Sequence, residues 1–141
     1  MEERVKKIIS KATNRFAEKE GVSPSEISII IHTKDNDYRP KYWYMVGKSI
    51  KKDEKGNNLD LNFTKDILNK IFDPVTPSMF AGFMINKFRF FEEVYSEQNV
   101  NGKSLYFVLK PTSETAEDFK VYLMHNAKLL KQLTIEEIVQ L

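Results

Sequence analysis

Apolar residues recur every three or four positions at the start of the chain. Val5, Ile8, Ile9, Ala12 and Phe16 share one stripe, which predicts an amphipathic helix over residues 2–20. Glu2 and Glu3 suit the positive end of its dipole, and Gly21 suits its stop. Ser23-Pro24-Ser25-Glu26 then reads as one tight turn. The pattern changes at Ile27, where Ile27, Ile29, Ile30 and Ile31 predict a buried strand running to Thr33. Residues 41–52 read as a second strand, with Tyr42, Tyr44 and Val46 on one face and Trp43 and Met45 on the other. Lys55-Gly56-Asn57-Asn58 is the expected turn into a short third strand, Leu59 to Phe63.

Thr64 is placed to cap a helix to Phe72, which Asp73-Pro74 would end. Thr76 and Pro77 open another, carrying Met79, Phe80, Phe83, Met84, Phe88 and Phe91. That helix is apolar on nearly all sides, which suits the centre of a fold or an interface. Asn101-Gly102 signals a two-residue hairpin, and its flanks, 93–100 and 103–110, are expected to pair as strands. Leu105, Phe107 and Leu109 then face one way, and Tyr106 and Val108 the other, near Tyr95. Phe119, Leu123, Ala127 and Leu130 suggest a last long helix, with Glu114, Glu117 and Asp118 in its first turn. Thr134-Ile135-Glu136-Glu137 is a capping box opening a short terminal helix. The expected fold is α+β: a two-layer domain over residues 1–141, with an antiparallel sheet of about five strands packed against N-terminal, central and C-terminal helices.

Composition narrows the chemistry. The absence of cysteine excludes disulfides, thiolate metal sites and thiol nucleophiles. No apolar stretch has the length of a membrane span or the form of a signal peptide, so the expected setting is cytoplasmic. The net charge of +2 is too small to argue by itself for nucleic acid. His32 and His125 lack neighbours at metal-ligand spacing, and Asp35 and Asp37 lack the further ligands of a calcium loop. Asp53 to Asp60 reads as a solvated hairpin tip. No glycine-rich phosphate loop and no G-x-S-x-G elbow is present. No residue is assigned a catalytic, metal-binding or cofactor-binding role.

Two surfaces remain. One is the hairpin carrying Arg39, Lys41, Tyr42, Trp43, Lys48, Lys51 and Lys52. From 39 to 55 six basic residues face two acidic ones, so positive charge concentrates there while the rest of the chain is acidic. Aromatics that stack on bases and lysines that meet phosphates suit nucleic acid. The plainer reading is a strand with one face on a helix and lysines guarding an edge. The other surface is aromatic: Tyr95, Tyr106 and Val108 on an uncovered sheet face, with Phe83 and Phe88 on the apolar helix. Such surfaces suit a second copy of the chain or another protein. In element order alone the chain resembles the small dimeric chaperones of type III secretion, which implies a dimeric protein-binding module. The expected function is a non-catalytic protein–protein interaction module acting as a homodimer or on another protein. The alternative is a nucleic-acid accessory protein using the 39–55 hairpin.

Overall fold

The computed structural model describes residues 2–33, 40–51, 76–98 and 104–141. The predicted third strand at 59–63, the helix at 64–72, the two acidic loops and the Asn101-Gly102 turn lie outside them. So do Arg39 and Lys52.

Helix α1 spans Glu2–Glu20 and buries Val5, Ile8, Ile9, Ala12, Thr13, Phe16 and Ala17, the stripe that its periodicity marks out. One 3₁₀ turn at Pro24–Glu26 leads into strand β1, Ile27–Thr33. Strand β2 runs Pro40–Val46 and β3 is only Ser49–Ile50. The single strand expected over 41–52 is therefore folded on itself. Gly47 takes φ +60°, which lets the chain reverse in two residues between Val46 and Ser49.

Helix α2 spans Thr76–Val94 and is followed by a 3₁₀ turn at Ser96–Gln98. Residues 93–98, expected to begin a strand over 93–100, form the end of α2 and this turn instead. Strand β4, Leu105–Pro111, pairs with β1 on one side and with β5, Phe119–His125, on the other, so neither edge is left for such a strand. The long helix expected after Pro111 is also absent. Residues 119–134 form a hairpin of β5 with β6, Lys128–Thr134, closed by Asn126 and Ala127 at φ +48° and +68°. Two adjacent positive φ values are what a tight hairpin turn requires. The element order that carried the likeness to secretion chaperones therefore does not hold. Helix α3, Ile135–Val139, starts at the predicted capping box: the Glu137 amide donates to Thr134 Oγ1 at 3.0 Å, and the Thr134 amide donates to Glu137 Oε1 at 3.0 Å.

Among the described residues the architecture is one antiparallel sheet of six strands, ordered β3-β2-β1-β4-β5-β6, with three helices. It is the expected α+β two-layer fold with one strand more. The helices share one apolar core with one face of the sheet. Ile27, Ile29 and Ile31 of β1, Tyr42 and Tyr44 of β2, Phe107 of β4 and Val121 and Leu123 of β5 pack against Phe16 of α1 and Phe80, Met84, Phe88 and Phe91 of α2. Aromatic rings tie the layers. Phe16 stacks on Tyr44 at 4.5 Å between centroids, and Phe107 meets Phe88 at 4.8 Å and Phe91 at 6.0 Å.

Candidate functional site

Strand alternation sends every second side chain away from the helices. The register aligns those side chains in rows across the sheet. One row reads Trp43, Ile30, Val108, Tyr122, Gln132; the next reads Lys41, His32, Tyr106, Met124, Leu129. Met45 and Ile50 extend the floor toward β3. Leu129 joins the row because a bulge between Leu123 and Met124 shifts the β5–β6 register.

Apart from Lys41 and Gln132, these residues line a concave trough of about 770 Å³, together with Ser104, Lys110 and Asn126. Its central floor is shielded by neighbouring side chains: Ile30 and His32 are 5% and 7% exposed. The walls stay half-buried at Trp43, Met45, Tyr106, Val108, Tyr122 and Met124, and Leu129 is 50% exposed. His32 lies against Trp43, ring centroids 4.2 Å apart. The trough is mostly aliphatic, methionine and aromatic, with few polar groups.

Its charges have one sign. Lys41, Lys110 and Lys120 stand on this side of the sheet, and none of the described strand positions that face the same way carries Asp or Glu. Lys110 and Lys120 face each other directly across β4 and β5, and the Lys110 ammonium sits 5.7 Å from the centre of the Tyr122 ring.

The residues proposed from sequence separate. Tyr106 and Val108 are brought together in the middle of the trough. Tyr95 is on the helical side, past the end of α2, its ring 6.4 Å from Phe91. Phe88 is fully buried in the core and offers nothing to a partner. Phe83 packs half-buried against that core beneath Lys87, whose ammonium lies 5.0 Å from its ring; burial holds the Lys87 ammonium below the ordinary lysine range.

The basic hairpin separates as well. Tyr42 is buried among the helices, its ring 6.2 Å from Phe80, and burial pushes its hydroxyl far above the ordinary tyrosine range. It cannot stack on a base. Lys51 is bound at 2.9 Å to Glu20, whose other oxygen accepts from the Tyr44 hydroxyl at 2.5 Å. The Tyr44 hydrogen bond, then Lys51, holds the Glu20 carboxyl below the usual range. Trp43 and Lys41 remain on the open side, and Lys48 is exposed in the β2–β3 turn.

Sequence reasoning missed Ile30, Tyr122, Met124 and Leu129. The first was read as interior, and the rest were assigned to a helix. Among the described residues no group of three His, Asp or Glu side chains is placed to hold a metal ion, and no helix is long and apolar enough to cross a membrane. The chain matches no family model, no curated protein and no solved structure.

Proposed function

We propose that this chain is a non-catalytic protein-interaction module whose working surface is the trough on the sheet face that none of the described helices covers. The observation that carries the reading is the alignment of Trp43, Ile30, Val108 and Tyr122, beside Tyr106, Met124 and Leu129, on the side opposite the three helices. A sheet face turned to water ordinarily alternates polar side chains outward. Here the outward positions in the middle of the sheet are apolar or aromatic, which is the composition of an interface core. The cytoplasm is the proposed setting.

The Tyr106→Asp variant tests the reading. It puts a charge in the centre of the trough without touching the core. Full-length wild type and variant are compared for thermal midpoint, self-association and capture of nuclease-treated protein from the source lysate. The expected outcome is an unchanged midpoint within a few degrees and loss of a defined, saturable partner. Retention of every interaction by a folded Tyr106→Asp protein removes the surface.

One observation favours a second reading. Trp43, Tyr106 and Tyr122 stand among Lys41, Lys110 and Lys120, as stacking rings and cations do on single-strand nucleic-acid binders. The aliphatic and methionine floor around them has no such use, and the protein reading accounts for it.

A further inference from the structure

The charges on the trough's side of the sheet say what the partner carries. We infer that the trough accepts a partner-protein segment whose apolar side chains are flanked by carboxylates; this rests on the reading of the trough as a protein-binding surface. Three observations converge. First, Lys41, Lys110 and Lys120 are cationic, and the described strand positions that share their face carry no acidic side chain. Second, Lys110 and Lys120 are directly opposite across β4 and β5. Like charges in that position repel and weaken the pair of strands. Neither has a carboxylate partner among the described residues, whereas Lys6 and Lys51 on the helical side are paired, with Glu2 and Asp118 and with Glu20. Third, the trough between them is apolar, so bare inorganic anions gain little there while an acidic segment with Leu, Phe or Met side chains fills the floor and neutralises the rim.

The same charges argue against a second copy as the occupant. A symmetric pair brings the same patch of each copy together. Here that sets the lysines of one copy in the patch of the other, where the described strand positions offer no acid, and like-charge juxtaposition is a strong deterrent to association.

Trp43 is the chain's single tryptophan and lies in the trough, so its emission reports occupancy directly. The experiment titrates the full chain with two synthetic 18-residue amphipathic peptides. They share one Leu/Phe stripe and differ only in flanking residues, all Glu in one and all Lys in the other. A short oligouridine serves as a third probe. The acidic peptide is expected to shift the Trp43 emission and to bind about tenfold more tightly than the basic one at 50 mM salt. The preference should shrink severalfold at 0.5 M salt, where the screening length is only a few ångströms. Lys110→Glu/Lys120→Glu should reverse the order. Equal binding of the two peptides, or preference for the basic one, overturns the acidic class and leaves the surface standing. No emission change with either peptide overturns the surface reading and the inference with it. Tighter binding of oligouridine, or self-association through this face with Trp43 shielded, replaces the partner class with nucleic acid or with a second copy.

Discussion

The two sides of the β1–β4 seam are built from the same few strands and could hardly differ more. Behind the sheet, Ile29, Ile31, Phe107 and Leu109 disappear under helices and are at most 3% exposed. In front, Tyr106 and Val108, on the same strand as Phe107, stay half-buried, and no described helix packs over them. Charge divides the same way. The outer surface of α1 mixes Arg4, Lys6, Lys7, Lys11, Arg15 and Lys19 with Glu2, Glu3, Glu18 and Glu20, which is what a surface facing only water carries. The trough side carries one sign and a broad apolar floor. One side is spent on stability, and the other is the face we propose for a partner.

The sharpest way to break this contrast is to truncate neighbours on opposite faces. Phe107→Ala removes a ring held between Phe88 and Phe91 and should cost about 3–5 kcal/mol in urea denaturation. Val108→Ala, one residue on, should cost about 1 kcal/mol or less, because its methyl groups leave a half-open surface. Equal losses would mean that both faces belong to the core.

A middle-sized effect separates Tyr44 from Trp43. The Tyr44 hydroxyl donates to the Glu20 carboxylate, and Tyr44→Phe should lose about 1.5 kcal/mol at neutral pH, toward the low end for a bond to a charged group. Glu20 has its carboxyl pKa lowered in the folded state. Its contribution is therefore present above the ordinary carboxylate pKa and lost as pH falls through the folded value. The gap between wild type and Glu20→Gln in urea melts should thus narrow as pH falls below the ordinary carboxylate range. Trp43→Phe should leave that pH response unchanged.

The smallest expected effect is on the open side. Lys110→Ala or Lys120→Ala should change the urea midpoint by no more than about 0.5 kcal/mol equivalent, and by sign should stabilise, since each removes one member of a like-charged pair. A clear loss in either variant would show that the ammonium groups serve the fold.

Much of the covered side was legible in the sequence. The α1 stripe, the Ile27–Thr33 strand, the alternation of Leu105 to Leu109 and the Thr134 capping box are local patterns with one physical reading. The 119–134 hairpin was not legible, for two reasons. Phe119 and Leu123 are four apart, a spacing shared by a helical stripe and by alternate strand positions; Val121 between them, fully buried, decides for the strand. The turn also lacks its usual glycine. Ala127 adopts φ +68°, a conformation that costs an alanine about 1 kcal/mol, so the residues give no warning of it. The trough followed from that error. Its rows exist only once β5 and β6 lie beside β4, and no local pattern tells that Met124 stands next to Tyr106. Tyr106 and Val108 were found because their strand alternates cleanly; Tyr95 was misplaced because the strand meant to carry it is the end of α2.

The sheet order has a consequence for how the molecule holds together in time. Each half of the sheet, β1-β2-β3 and β4-β5-β6, follows its own helix and is joined internally between sequence neighbours. Within the described sheet, the halves are joined by the pairing of Ile29–His32 with Tyr106–Leu109, which brings together residues far apart along the chain. Such a contact forms late and costs the most chain entropy, so it is the natural line of opening. The trough straddles that line, with Ile30 and Trp43 on one bank and Val108 and Tyr122 on the other. A partner seated there acts as a splint across the two halves. At a hundred times its dissociation constant it would add about 2.7 kcal/mol against global opening. That gain would show in slowed amide exchange along β1 and β4.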